Sequence, residues 1–453
     1  MRSDALKQLL LATPGPTPER LAADFDRLWP IMRSITGEGV RRTHAILNDI
    51  APLTSLEVPT GTQCYDWAVP EEWVFRSARL YAPDGRLILD AVQNNLHVLN
   101  YSAGFSGSVS LEELQEHLHS LPDIPDAIPY LTTYYTRQWG LCMSHRQREQ
   151  LTQGRYRVEI DAEHVAGSMT LSHCVLPGDS PEEILFSTYT CHPSMANNEL
   201  SGPLVAAHLL RRLASLPSRR YTYRFLFLPE TIGSIAYLAA HGEYLKTAVK
   251  AGYVLTCIGD AGPATYKRSR QADTLADRAA EYVLQWFSPG GLVLDYWPGG
   301  SDERQYCSPG FNLPVGVLAR TIYAAYPQYH TSQDNRDFVS FPAMCDSIDL
   351  CFAVALLLER NHVFRRTNPY CEPFLAKHNL HAPLGGQRLP GAWKKARQWI
   401  LNLSDGTCDL LHMAQRSGLD YWLLTEVASE LEKAGLIIRS ASPKGLRPAE
   451  GAI

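Results

Sequence analysis

Four residues in the middle of the chain place imidazole and carboxylate chemistry at the ends of apolar runs. His192 stands in TYTCHPSMANNELSG, Glu230 ends YTYRFLFLPE, Asp260 ends AGYVLTCIGD, and His330 lies in QYHTSQDN, a short way beyond LPVGVLAR. Nitrogen and oxygen donors meeting in one cleft are what a hydrolytic zinc site needs, with a carboxylate left over to take a proton from water.

The elements that must position these residues follow from the same runs. EILFSTYT, between Pro181 and Pro193, is β-branched and aromatic and reads as a buried strand of a parallel sheet. Ser201 and Gly202 then open PLVAAHLLRRLASL, whose apolar positions recur at helical spacing, so CHPSMANNE is a strand-to-helix loop. Tyr221 to Pro229, Ala251 to Gly259 and Leu313 to Leu318 read as three further buried strands, with a helix from Gly233 to Tyr244 after the first. In open α/β sheets ligands bind outside the C-terminal strand ends, which is where all four residues fall.

Other parts of the chain carry less chemistry. Residues 18 to 50 read as helical, with His44 a surface or boundary residue. Roughly 60 to 170 has short β-prone runs and turn signals such as Pro-Asp-Gly, as in a β-rich module. His117 and His119, two apart, make a poor metal pair on a helix. After His330, MCDSIDLCFAVALLLERN reads as an apolar helix covering the sheet, and 364 to 390 as a linker. Three short helical runs and a β-prone end then resemble a winged helix, whose candidate recognition helix, Asp420 to Lys433, is too acidic to pair with phosphates.

Composition bounds the function classes. The 453 residues call for two or three domains, and 45% apolar with 20% charged residues is ordinary for a globular protein. A net charge of −5 gives no reason to expect nucleic acid as partner. No apolar run reaches the roughly 18 residues of a membrane span. The N-terminal leucine cluster is too short for a secretory signal, so a cytoplasmic protein is expected. Ten scattered cysteines fit reduced thiols, and Cys191 and Cys257 are expected to be small core residues.

CHPSMANNELSG, LPETIGSIAYL, GSDERQYCSPGFNLPV and YHTSQDN resemble a bacterial aminopeptidase-like family with an inserted β domain and a C-terminal winged helix. That family is distantly similar to the co-catalytic zinc aminopeptidases and to glutaminyl cyclase. The resemblance implies an α/β fold, a mixed, mostly parallel sheet flanked by helices. The α/β domain would take 1–58 and 171–375, the β-rich insert 59–170 and the winged helix 385–453. It implies His192 and His330 as metal ligands and Glu230 as general base. Three positions depart from the pattern: Asn198 stands for the bridging Asp, Thr231 for the second Glu of a pair, and Asp260 lies a few residues from the expected Asp, where Thr256 would align. A two-zinc centre is therefore not expected. One zinc, held by three of His192, Glu199, Asp260 and His330, is expected instead, with Glu199 supplying the missing carboxylate.

These assignments imply hydrolysis of an amide in a small peptide or aminoacylated metabolite. Asp302 and Glu303 would hold an α-amine, and Arg270, Arg304 and Arg320 a carboxylate, with Tyr329 beside them. Acyl transfer or cyclisation on the same scaffold, and a metal-free binding protein using its winged helix for packing or regulation, stay open, as does self-association.

Overall fold

The computed structural model describes residues 4–288, 290–378, 380 and 391–440. They fall into two compact units, one made of described residues within 15–277 and 288–351, the other of described residues within 4–14, 278–287 and 352–440.

The larger unit is built on an eight-stranded sheet. Its centre is four parallel strands in the order Thr222–Leu228, Glu183–Tyr189, Val249–Leu255, Val315–Ala319. Thr54–Pro59 and Ser168–Leu176 add an antiparallel pair at one edge, and Thr265–Lys267 and Leu292–Leu294 complete the other. Every residue of Glu183–Tyr189 is buried, as expected of a strand covered on both faces. Phe186 lies level with Phe225 and Tyr253 on the neighbouring strands, with ring centroids 5.1 and 5.6 Å away. Glu183 is tolerated in this core because Arg224 grips both its oxygens, at 2.7 and 2.8 Å.

The chain passes from Glu183–Tyr189 through the Ser201–Ala214 helix to a strand on one side, then through the Ile232–Ala248 helix to a strand on the other. This reversal opens a crevice at the C-terminal strand edge. Gly202 is required there: a Cβ would lie 2.4 Å from the Leu255 carbonyl oxygen. His44, expected near the surface, is instead buried in the Glu38–Ile50 helix, with Nε2 2.8 Å from Thr190 Oγ1 and Nδ1 2.8 Å from Ser172 Oγ. The helix face that seemed to leave it free packs on the sheet.

Within the same unit, a separate antiparallel sheet runs in the order Leu87–Asp90, Glu72–Tyr81, Arg155–Val165, Phe105–Ser110. Leu80, Tyr156, Val158 and Ile160 belong to its own apolar core. This sheet is the β-rich module legible in the turn signals.

The smaller unit contains the winged helix: helices Gly391–Leu403, Leu410–Ser417 and Tyr421–Lys433 with a sheet in the order Asp405–Asp409, Val363–Arg366, Ile437–Arg439. Its central strand falls where a linker was read. Phe364 is buried there, so the start of the polar stretch is part of the fold. Gly418, at φ 66°, ends the second helix in the left-handed conformation suited to glycine.

Phe341–Arg360 corrects the expectation that no segment has span length. It is long and apolar enough to cross a membrane by length and composition, but 72% of its most apolar window is buried inside the protein. Asp349 on it pairs with Arg212 at 2.6 Å.

Candidate functional site

Between Glu183–Tyr189 and the Ser201–Ala214 helix, residues 196–200 form a single π-helical turn. Such turns are common at functional sites. Asp334 holds this turn: its carboxylate accepts the N–H groups of Asn197 and Asn198 at 2.6 and 2.9 Å. The turn carries Glu199 back against His192. Glu199 Oε2 accepts the His192 backbone N–H at 3.0 Å and lies 3.0 Å from His192 Nδ1. Cys191 Sγ is 3.2 Å from the same ring nitrogen. Among the described residues, Cys191, His192 and Glu199 form a group whose donor atoms all lie within 4.8 Å of one another, and all three are buried.

Glu230 follows Thr222–Leu228 and turns toward this group. Its Oε2 lies 3.7 Å from His192 Nε2, and its side chain is 22% exposed against 4% for His192, so it is the carboxylate that meets solvent. His330 stacks on Tyr329, with ring centroids 3.9 Å apart, and lies 5.5 Å from the His192 ring. Its Nε2 is buried without a hydrogen-bond partner, as is Glu199 Oε1. Backbone strain gathers in these loops: Ser194, Thr231, Cys257 and His330 all have φ between 46° and 67°. Held outliers of this kind gather at functional sites.

Burial sets the electrostatics. It pushes His192 and His330 down to about 3, keeping both imidazoles neutral. It pushes Glu199 up to about 8, against the pull of Arg33. Burial, with Asp302 next, holds Glu230 well above the usual carboxylate range. Burial raises Asp302 to about 6. Burial thus outweighs the pull of Arg33 on Glu199 and of Arg304 on Glu230 and Asp302.

Other expected site residues are engaged elsewhere. Both Asp260 oxygens are occupied, accepting from Asn197 Nδ2, Gly262 N, Thr321 N and Thr321 Oγ1 at 2.6 to 3.0 Å, so this carboxylate ties loops together. Arg320 braces the same region through the carbonyls of Gly262 and Ala343. Arg270 is exposed and donates to Asn312 Oδ1. Glu303 Oε1 accepts from Lys267 Nζ at 2.6 Å, in a fully buried pair. Asp302 and Arg304 contact Thr231, next to Glu230.

Arg33 carries no local sequence signal of its place in the crevice. Its fully buried guanidinium donates to the His192 carbonyl at 3.1 Å and the Leu28 carbonyl at 2.8 Å, and lies 3.8 Å from Glu199 Oε1. Tyr130 was likewise missed; its ring is 4.8 Å from that of His192.

The donor set fits one cation and not a pair. An imidazole, a carboxylate and a thiol converge, with Glu199 Oε1 and His330 Nε2, both without a hydrogen-bond partner, nearby. At the bridging position Asn198 is neutral, and its Oδ1 accepts from Tyr189 OH at 2.9 Å and from the Cys257 thiol. Thr256 is hydrogen bonded to the same tyrosine. Among the described residues no carboxylate takes that place to hold two cations together.

Residues 23–361 match the family described as a domain of unknown function, DUF4910, and residues 362–439 match a winged helix-turn-helix family. A Clostridium acetobutylicum protein, provisionally described as a polysaccharide biosynthesis protein with an aminopeptidase-like domain, is 40% identical over 413 residues, covering 91% of this chain and 94% of its own. A crystal structure from the same organism, provisionally described as a peptidase, superposes with a TM-score of 0.87 at 38% identity, covering 93% of this chain and 96% of that one. BSAP, a zinc aminopeptidase from Bacillus subtilis, shares the fold at a TM-score of 0.54 and 14% identity, over 76% of this chain and 94% of that one.

Proposed function

We propose, from the premise that this chain belongs to the DUF4910 family and carries an aminopeptidase-like domain joined to a winged helix, that it hydrolyses an amide bond with the help of one zinc ion. The substrate class is a small peptide or an aminoacylated metabolite. The observation that carries this reading is the buried Cys191–His192–Glu199 group with the Glu230 carboxylate 3.7 Å from His192 Nε2.

His192 and Glu199 would hold the ion, with Cys191 and His330 as the nearest further donors. When bound, zinc supplies a Lewis acid that polarises a carbonyl and makes a water molecule more acidic. Neutral imidazoles suit the role of ligand, and burial keeps both histidines neutral. Arg33 fixes the His192 carbonyl and offsets part of the Glu199 charge. Glu230 takes the proton of the attacking water on its carboxylate and passes it to the leaving amine. A carboxyl raised by burial and by Asp302 becomes an effective base once a positive charge is brought beside it, since an opposite charge favours the ionised form.

The neutral Asn198 and Thr256 favour a second reading, a binding protein that has kept the cleft without metal chemistry. Both readings are tested with leucine and alanine p-nitroanilides and a set of unlabelled dipeptides, measured together with zinc content. Glu230→Gln should retain zinc and lose roughly 10²- to 10⁴-fold in turnover. Joint loss of zinc and turnover would make Glu230 a ligand instead of the base. Zinc-free protein with no product from any substrate would favour the binding protein.

A further inference from the structure

Only Pro229, Glu230 and Thr231 connect the Thr222–Leu228 strand to the Ile232–Ala248 helix. Thr231 has φ 67° and ψ −75°, and the Ile232 N–H bonds back to the Glu230 carbonyl at 2.8 Å. These are the dihedrals and the i to i+2 bond of the rarer, strained γ-turn. A β-branched residue at positive φ is an outlier that its surroundings must impose.

Those surroundings are specific. The Thr231 N–H donates to Asp302 Oδ1 at 2.7 Å, Ser234 Oγ donates to the same oxygen at 2.9 Å, and Arg304 Nη2 donates to Thr231 Oγ1 at 2.7 Å. Asp302 is fully buried. It is anchored in turn by its neighbour, because Glu303 is tied to the buried Lys267, whose Nζ also donates to the Gly299 carbonyl at 2.7 Å. A continuous set of bonds therefore runs from Lys267 through Glu303 and Asp302 to the turn that carries Glu230.

We propose that Asp302 is a positioning residue: with Arg304 it clamps the strained Glu230–Thr231–Ile232 turn and so aims the Glu230 carboxylate at His192 Nε2. A sharp, strained strand-to-helix turn lifts the preceding side chain above the sheet edge, as the turn of a nucleophile elbow does for its serine. The role of the aimed carboxylate rests on the reading of Glu230 as base; the clamp does not. Asp302 thereby acts through Glu230 and does not hold the substrate's amine.

The test uses the full-length, zinc-loaded protein, its variants Asp302→Asn, Asp302→Ala and Thr231→Gly, and leucine p-nitroanilide as probe. Asparagine keeps an oxygen that accepts both hydrogen bonds; alanine does not. In the crystal structure of Asp302→Ala, the residue 231 φ should leave the positive region and Glu230 should withdraw from His192, while Asp302→Asn should keep both. Displacement of a reacting group by about 1 Å can cost 10²-fold, so Asp302→Ala should lose about that factor in kcat with little change in KM. Asp302→Asn should recover most of it. Thr231→Gly carries the same φ without strain but gives up the Arg304 bond to Oγ1, so it should keep the turn through the backbone N–H bond to Asp302. Adding it to Asp302→Ala should restore part of kcat.

An unchanged Thr231 conformation in Asp302→Ala would overturn the proposal, as would a rise in KM at constant kcat or an equal loss in both Asp302 variants. If Asp302→Ala does not fold, Asp302→Asn and Thr231→Gly still decide: loss of the turn in either overturns it. A wild-type protein that leaves every amide intact would defeat the hydrolase reading, and the crystallographic comparison would still judge the clamp.

Discussion

Replacing Arg33 by methionine tests how the chemistry of the crevice is held in place. The guanidinium is fully buried and donates to the carbonyls of His192 and Leu28 and to Thr43 Oγ1. Methionine fills similar volume and offers no donor, so the buried His192 carbonyl loses this donor, the Leu28 carbonyl keeps the Ile31 N–H, and Glu199 loses the guanidinium 3.8 Å away. Burial pushes Glu199 up to about 8, so near neutral pH the cost comes from the buried carbonyl and not from a full ion pair. A buried acceptor left unpaired costs about 1–3 kcal/mol, which is the loss expected of Arg33→Met. The assay is urea unfolding of metal-free protein, followed by tryptophan fluorescence, with Arg270→Met as the exposed control at about 0.5 kcal/mol or less. A change below about 1 kcal/mol in Arg33→Met would refute the claim that Arg33 supports His192.

Two further outcomes follow from residues outside the crevice. His44 is pushed down to about 3 by burial, so its contribution to stability is full above its ordinary value near 6.5 and is lost as pH falls toward 3. Between pH 7 and pH 5 this single group should remove about 2 kcal/mol, and His44→Gln should show a correspondingly shallower fall in unfolding free energy; parallel curves would refute the assignment. The Tyr421–Lys433 helix carries Glu430 and Glu432 paired with Arg397 and Arg439, and is expected to bind no duplex DNA. Micromolar binding that weakens steeply between 50 and 200 mM salt, roughly the range over which phosphate contacts are lost, would contradict that expectation.

The elements that deliver the chemistry were legible because the central strands are buried on both faces and so appear as unbroken apolar runs. His192 and Glu230 fall at the ends of such runs, and the loop between His192 and Ser201 is polar and short. What surrounds these residues was not legible. Arg33 meets His192 across 159 positions of sequence and sits in a segment with no local signal of that contact. Asp260 occupies a strand end like the others, yet backbone and side-chain donors consume its carboxylate, and only the folded loops show this. The turn at Thr231 was hidden for a different reason. Threonine does not favour positive φ, so its conformation depends on Asp302 and Arg304 brought from 71 and 73 positions away. His44 shows the same limit, since two hydroxyls from separate strand regions convert an amphipathic helix position into a buried one.

On the proposed reading the crevice takes one zinc ion through His192 and Glu199. Elemental analysis of protein purified without chelators, alongside His192→Ala and His330→Ala, decides it. The account predicts one zinc per chain in the wild type and a severe loss in His192→Ala, because a site of few ligands tolerates few losses. Two zinc ions per chain, no metal at all, or full occupancy in His192→Ala would contradict it.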